Sequence, residues 1–207
     1  MGYDSRKSIP KACKHGIECE PRAAVAYMEH MKMNGHPDIS LKETGFALLP
    51  ESSWLGASVD RVVHDPSSQP NEGNAEIKCP ATNLTIAELA IQRGSSFPLH
   101  RDLMGELKLN HHHVYYYQVQ CQLAVTKREW CDFIMYTETP EGKDIYVERI
   151  MFDQKAWKKI VFPKLKEFYI GSVVPEILTR RIKLGLPLFP ELFKYANAKK
   201  TSTGIEE

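Results

Sequence analysis

The sequence predicts an α/β protein of the α+β kind, with a central mixed β-sheet flanked by helices. Helical and strand-like periodicities alternate along the chain in the order helix, three strands, helices, two strands, helix. The 207 residues, 43% of them hydrophobic, are enough for one domain with its own core. A formal net charge of +1 excludes a general positive coat, so a polyanionic partner must be met by local patches.

The first half of the chain predicts one helix and three strands. GIECEPRAAVAYMEHMKMNG has apolar residues at helical spacing, with Pro21 in its first turn and Gly35 at its end. GFALLPESSWLGASVDRVVHD alternates like two strands joined at PESS, and NAEIKCP is a third short strand ended by Pro80. Residues 1–15 are polar and are expected to be loose.

The second half predicts helices, a strand pair and a final helix. LTIAELAIQRG is a helix with Gly94 past its end, SSFPLHRDLMGELKLN a loop with a helical turn, and HHHVYYYQVQCQLAV a buried helix. WCDFIMYTE and KDIYVERIMFD are two strands turned at TPEGK. Pro163 is expected to kink the final helix, and residues 182–207 are predicted to be a tail or linker.

The five cysteines predict neither a disulfide framework nor a zinc site, because their number is odd and no CxxC pair occurs. The sequence also lacks a signal-peptide pattern and a long apolar stretch. We therefore expect a soluble, reduced, intracellular protein, nuclear if the host is a eukaryote.

Residues 56–80 place three functional side chains at the edges of a predicted hairpin. Glu76 and Lys78 point to one face of their strand, Ile77 points into the core, and Asp60 lies on the neighbouring strand. Two adjacent carboxylates repel each other, and a hard cation such as Mg²⁺ or Mn²⁺ holds both ionised. A lysine side chain nearby can position or deprotonate a water molecule, or stabilise an oxyanion. The alternative is a set of separate, solvated charges, since E-x-K is common on exposed strands.

Six motifs follow one another in an order that resembles a known family: GIECEPRAA, GASVD, EIKCP, YYYQVQCQL, WCDFIMYT and VERIMFD. This order is similar to that of the YqaJ-type viral recombinase family, relatives of phage lambda exonuclease in the PD-(D/E)xK nuclease superfamily. The resemblance covers residues 16–181, which we take as the nuclease domain. It implies a PD-(D/E)xK nuclease core with one or two Mg²⁺ ions, for which Mn²⁺ can substitute.

The resemblance also implies roles for individual residues. Asp60 and Glu76 match the family's metal ligands, together with the backbone carbonyl of Ile77. Lys78 matches the catalytic lysine, and Glu20 matches an upstream helix acid that faces the metals and can hold an ion through water. Taken alone, Glu20 also fits an acid that interacts with the positive end of a helix.

The motif QVQCQ requires a choice between two glutamines. Gln118 and Gln120 lie about 160° apart on a helix, so both cannot reach one site. Gln120 matches the second glutamine of the family's Q-x-Q and is expected at the reaction centre, while Gln118 is expected to be a structural hydrogen bonder. A structural role is common for buried glutamines and is the alternative for Gln120.

Scattered cations are expected to bind DNA. Arg61 follows Asp60 directly, Lys108 precedes the glutamine helix, and His113 is placed to approach the site. His111 and His112 cannot chelate one ion together with His113, because consecutive helix residues point about 100° apart. The tyrosines that follow are expected to pack in the core.

The resemblance implies a 5′-3′ exonuclease acting on linear double-stranded DNA in recombination or repair. A single-strand annealing protein is the implied partner, and some similar enzymes are ring-shaped trimers. A structure- or site-specific endonuclease and a catalytically inactive DNA-binding or interaction domain stay open as alternatives. Two departures bear on them. The family's Pro-Asp-Gly is Val59-Asp60-Arg61 here, and the family's upstream helix is missing, so its 5′-phosphate pocket is expected to be incomplete or supplied by another part of the protein.

Overall fold

The computed structural model describes residues 9–187, which fall into two compact units, residues 9–157 and 158–187. Most of the predicted loose N-terminal segment and tail, residues 1–8 and 188–207, lies outside the described residues. Within the described part of the chain, no helix combines the length and apolar character that crossing a bilayer requires.

The first unit contains nine strands and three main helices among its described residues. The strands are β1 Ser40–Lys42, β2 Ala47–Leu48, β3 Gly56–Ala57, β4 Arg61–His64, β5 Glu72–Lys78, β6 Leu99–Arg101, β7 Leu107–Leu109, β8 Trp130–Thr139 and β9 Gly142–Met151. The helices are α1 Lys11–Met33, α2 Ile86–Arg93 and α3 Val114–Thr126.

A five-stranded sheet in the order β1-β4-β5-β8-β9 forms the centre of this unit. Strands β5 and β8 are parallel, and the other neighbours are antiparallel. The predicted mixed sheet flanked by helices is therefore confirmed.

Strand β8 supplies side chains to two core layers because successive residues point to opposite faces. Its first eight residues are all buried. Ile134 packs in the layer that contains α1, whereas Phe133 packs in the layer that contains α2 and α3. In β5, Ala75 and Ile77 belong to the α1 layer, so alternation directs Glu76 and Lys78 toward α3.

Helix α1 is longer than the sequence predicts. It begins at Lys11, directly after Pro10, and contains Pro21 in its interior rather than in its first turn. Proline cannot donate a backbone hydrogen bond, which costs the helix one internal bond. Burial of one face of the helix, including Ala23 and Tyr27 at 0% exposure, offsets this loss.

Residues 97–110 correct a second prediction, since they form a β-hairpin rather than a loop with a helical turn. Strands β6 and β7 pair from Leu99 opposite Leu109 to Arg101 opposite Leu107. The carboxylate of Asp102 organises the turn by accepting hydrogen bonds from the backbone N–H groups of Met104 and Glu106, at 2.8 and 3.0 Å.

A buried polar cluster joins β8 and β9. Arg149 donates two parallel hydrogen bonds to Asp132, at 2.8 and 2.9 Å, and its guanidinium lies 3.6 Å from the ring centroid of Trp130. The hydroxyl of Tyr27 on α1 donates to the same carboxylate at 2.5 Å. Gly73 lies against the Trp130 ring, which leaves no room there for a larger residue.

The predicted final helix is present over residues 154–179, but it changes helix type along its length. It comprises α4 Gln154–Ala156, α5 Phe162–Phe168 and α6 Val174–Thr179, separated by π-helical turns at 157–161 and 169–173. Pro163 follows the first π turn almost directly, and because proline has no backbone N–H the helix lacks one internal hydrogen bond there. At this position the helix changes from a π turn to an α-helix.

Candidate active site

The pairing of β4 with β5 brings the two predicted carboxylates together. Arg61 is opposite Ala75 in this antiparallel pair, so Asp60 lies level with Glu76. Asp60 is also fixed to β5 directly, because its Oδ2 accepts a hydrogen bond from the backbone N–H of Ile77 at 2.7 Å. Both acids thus stand at the end of β5 that carries Lys78.

Glu76 is almost completely buried, with 1% of its surface exposed, and all of its described contacts are donors. Its Oε1 accepts hydrogen bonds from Lys78 Nζ and from Gln118 Nε2, the latter at 2.7 Å. Its Oε2 accepts from Gln122 Nε2 at 2.6 Å. Three side-chain donors thus satisfy the buried carboxylate of Glu76.

One face of α3 supplies the side chains around Glu76 and Lys78. Tyr115, Gln118 and Gln122 are spaced by three and four residues and therefore share that face. The ring centroid of Tyr115 lies 4.6 Å from Lys78 Nζ, a cation–π contact. Gln122 was not among the predicted site residues, although its spacing of four from Gln118 is a signal that the sequence contains.

The structure corrects the choice of Gln120. Its Nε2 donates to the backbone carbonyl of Met151 at 3.0 Å, and its Oε1 accepts from the backbone N–H of Asp153 at 2.7 Å. Gln120 is 0% exposed and binds the end of β9, on the side of α3 that faces away from Glu76. Gln118, not Gln120, contacts Glu76 and Lys78. Because each helix residue is rotated by about 100° from the one before it, only one of the two glutamines can face these residues.

Burial and neighbouring charges shift the pKa values of two site residues. Burial, and then the nearby charge of Glu76, raises the pKa of Asp60 to about 6. Burial alone would lower the pKa of Lys78, but the Glu76 carboxylate outweighs it and raises that pKa above its ordinary value. Lys78 is therefore an ammonium group and a hydrogen-bond donor, not a base.

Glu20 lies on α1, close enough for its charge to act on Asp60, and Arg61 binds it. Arg61 Nη1 donates to Glu20 Oε1 at 2.5 Å, and the Arg61 side chain is 13% exposed. Arg61 points to the α1 face of the sheet, as its alternation with Asp60 requires. Arg61 therefore contacts protein acceptors in this structure, and its role in DNA binding stays a prediction.

Of the other two predicted DNA-binding residues, His113 lines a cavity beside Lys78, and Lys108 lies on the β6–β7 hairpin. His113 is the N-cap of α3, where its Nδ1 accepts from the backbone N–H of Tyr115 at 3.2 Å. Burial lowers the pKa of His113, so the ring is neutral at pH 7 and its Nε2 carries the proton. Lys108 is on β7, with its side chain 44% exposed and 3.4 Å from Glu106.

A cavity of about 610 Å³ opens next to these residues. Its lining includes Glu20, Lys78 and His113, together with Phe97 and Pro98 at the base of the β6–β7 hairpin. A space of this size next to the ammonium of Lys78 can admit a nucleotide-sized group.

The donor set fits one hard divalent cation. Asp60, Glu76 and the intervening backbone carbonyl of Ile77 supply only oxygen atoms, which Mg²⁺ and Mn²⁺ prefer. Burial and the charge of Glu76 raise the pKa of Asp60, and a bound cation would favour the ionised form of both acids. Residues 9–187 contain no ready-made group of three or more acidic, histidine or cysteine ligands, so water or substrate oxygens would complete the coordination.

The mixed sheet, with two carboxylates and a lysine at the end of a central strand, defines a nuclease fold of the PD-(D/E)xK class. The sequence-family model of the YqaJ-like viral recombinase domain matches residues 3–129, which is more than half of the chain. The chain belongs to this family.

Solved structures with a similar fold support this assignment. The crystal structure of an alkaline exonuclease, LHK-Exo from Laribacter hongkongensis, is 26% identical over 86% of this chain and 78% of its own, with a TM-score of 0.55. A structure of LHK-Exo in complex with dAMP has a TM-score of 0.59 at 24% identity, covering 87% of this chain and 77% of that chain, and it shows the shared fold. No curated protein matches the chain.

Proposed function

We propose that this protein is a metal-dependent DNA exonuclease that digests one strand of linear double-stranded DNA in the 5′ to 3′ direction, in recombination or repair. The observation that carries the proposal is the buried Glu76, level with Asp60 and bound by Lys78, Gln118 and Gln122. Membership in the YqaJ-like family and similarity to an alkaline exonuclease support DNA as the substrate.

Asp60, Glu76 and the carbonyl of Ile77 would hold Mg²⁺, or Mn²⁺ in its place. When bound, such an ion supplies Lewis-acid stabilisation of negative charge on the phosphate and lowers the pKa of a bound water molecule. The hydrogen bond from Ile77 N–H to Asp60 fixes one carboxylate oxygen and leaves the other to face the site.

In the proposed reaction, water adds to phosphorus and the bond from phosphorus to the 3′ oxygen breaks. Lys78, as an ammonium group, donates to the attacking water or to a non-bridging phosphate oxygen, where negative charge develops. The proton of the water passes to solvent or to the departing 3′ oxygen, which leaves as a hydroxyl. The products are a 5′-mononucleotide and a shortened strand.

Gln118 and Gln122 act on the reaction through Glu76. Their amides hold both carboxylate oxygens, at 2.7 and 2.6 Å, and so fix the orientation of the implied metal ligand. Gln118 also lies 3.3 Å from Lys78 Nζ, so one amide orients both groups. Gln118 and Gln122 are therefore positioning residues.

The proposal is tested by digestion of two DNA substrates with the full chain. One is a linear duplex with a 5′-phosphate and a different fluorophore on each strand, and the other is a closed circle of the same sequence. We expect Mg²⁺-dependent release of mononucleotides from the 5′ end of the linear DNA, no cutting of the circle, and loss of activity with EDTA. The Lys78→Ala protein should lose activity by a factor of about 10³ or more.

The matched control is Lys127→Ala, which removes a lysine that is 62% exposed. Lys127 caps the C-terminal end of α3, whereas His113, which lines the cavity, caps the N-terminal end. Its nuclease rate should equal that of the unchanged protein. Cutting of the circle with the same dependence on metal and Lys78 would replace the exonuclease with an endonuclease. A folded, DNA-binding protein that cuts neither substrate would point to an inactive nuclease domain.

A further inference from the structure

Arg61 follows the candidate metal ligand Asp60 directly, and its side chain makes contacts beside the site that a residue without a long cationic side chain could not make. Its Nη1 donates both to Glu20 Oε1 and to the backbone carbonyl of Asp60. Its Nη2 lies 3.6 Å from Glu43, which is 85% exposed. Two acids and one carbonyl thus hold a guanidinium directly beside the candidate metal site.

We propose that Arg61 is a built-in counter-ion that keeps Glu20 out of the metal centre, so that this chain binds one divalent cation rather than two. This inference rests on the proposed metal-dependent function. It concerns the third carboxylate of the site, which a glycine at position 61 would leave available to a second ion.

The geometry of the pair supports this division of the site. By strand alternation Asp60 and Glu76 face α3, whereas Arg61 faces α1 and meets Glu20 there. A cation coordinated by Glu20 would have to displace the guanidinium from Oε1 or bind close to its positive charge. Both are unfavourable at a contact where Arg61 is 13% and Glu20 28% exposed.

A second observation points the same way. Among residues 9–187 no three acidic, histidine or cysteine side chains converge as one metal-binding group, although Glu20 lies close enough to add to the charge felt by Asp60. The charge of Glu20 therefore acts on Asp60, but its carboxylate is held by Arg61. Its negative charge is neutralised by protein, and a second ion has no unpaired acid to occupy.

The test is a Mn²⁺ titration of the full chain, with free Mn²⁺ measured by electron paramagnetic resonance. The unchanged protein should bind one ion per chain, and Asp60→Asn should abolish that binding. Arg61→Ala should bind a second ion, and its first ion about tenfold more tightly, because a nearby positive charge is lost and Glu20 is freed. The double variant Arg61→Ala/Glu20→Gln should return to one ion.

Three further variants keep the result interpretable. Arg61→Lys retains the charge and should bind one ion, and Glu43→Gln, which alters the exposed partner, should also bind one. Glu20→Gln in the otherwise unchanged protein should not alter the stoichiometry. This last comparison decides the matter if circular dichroism shows that Arg61→Ala does not fold.

Two results would overturn the inference while leaving the proposed function intact. One is a stoichiometry of two in the unchanged protein that falls to one in Glu20→Gln, and the other is a folded Arg61→Ala protein that still binds one ion with unchanged affinity. A different result, no Mn²⁺ binding that depends on Asp60, would remove the metal centre itself and with it both the function and the inference.

Discussion

Gln118 and Gln120 are two residues apart on α3, yet the structure gives them opposite surroundings. The amide of Gln118 binds Glu76 and Lys78, whereas the amide of Gln120 binds the backbone at Met151 and Asp153. The family's Q-x-Q pattern does not indicate which glutamine enters the site, because that depends on how α3 is rotated against the sheet.

This difference predicts two separable phenotypes. Gln118→Ala should lower the nuclease rate by about 10- to 100-fold with little change in stability, because it removes a group that orients Glu76. Gln120→Ala should cost about 1–3 kcal/mol of unfolding free energy, because it removes a fully buried side chain and its two hydrogen bonds to the backbone, and should retain the rate per folded molecule. Urea denaturation and digestion of linear DNA measure the two effects. A fall in rate confined to Gln120→Ala would show that the assignment is reversed.

At the scale of elements, the contact between β5 and β8 depends on a close approach that only glycine permits. A Cβ atom added at Gly73 would lie 2.2 Å from the ring of Trp130, which is 1% exposed and cannot move aside. The ring in turn supports Arg149, which binds Asp132. The pairing of β5 with β8 therefore depends on the same packing that holds Trp130 and the ion pair of Arg149 with Asp132.

We therefore expect Gly73→Ala to destabilise the protein by about 1–3 kcal/mol through overpacking. Gly16→Ala is the control, because a Cβ there would meet nothing within 4 Å. In the interior of α1 it should stabilise the protein by about 0.5–1 kcal/mol, since alanine is the better helix former. Chemical denaturation of both variants measures the difference. Equal stabilities would contradict the packing argument.

The sequence predicts some elements and not others for physical reasons. Strand β8 is indicated by a long apolar run. Helix α2 is indicated by a capping box at Thr85 and by Gly94 after its last residue. The β6–β7 hairpin was missed because its strands have three residues each, too short for a periodic pattern. The start of α1 was missed because Pro21 is usual in a first turn, and burial of the helix overrode that preference.

The same distinction applies to the site. Local spacing was sufficient to place Glu76 and Lys78 on one face of β5, and pairing with the next strand to bring Asp60 beside them. The partner of Arg61 is 41 residues away on another element, and no local pattern reports such a contact. The contact of Arg61, which depends on tertiary packing, therefore requires the structure, whereas the spacing of Gln122 from Gln118 was a local signal that the sequence prediction did not use.

At the scale of the whole molecule, a net charge of +1 means that DNA binding must rely on a few local cations. Lys108 lies on the hairpin whose base lines the cavity at Lys78, whereas Lys127 follows the far end of α3. The two are well matched, since each is partly exposed and lies 3.4 or 3.5 Å from one glutamate.

Lys108→Ala should weaken binding to duplex DNA and reduce the slope of log K against log salt by about 1, the loss of roughly one phosphate contact. Lys127→Ala should change neither quantity. Fluorescence anisotropy over a range of salt concentrations, with Ca²⁺ in place of Mg²⁺ to prevent cleavage, measures both. Equal slopes for the two variants would place the DNA path away from the hairpin.

The i and i+4 spacing of Gln118 and Gln122 makes the site more sensitive to chain length than to composition. Deleting one residue between His113 and Gln118 would turn the following part of α3 by about 100° relative to its start. Val119 and Leu123 would then take the places of the two amides, and an apolar surface would face the Glu76 carboxylate. Helix α3 can therefore tolerate many substitutions at single positions, whereas the loss of one residue from this part of the helix removes the amides of both Gln118 and Gln122 from the site.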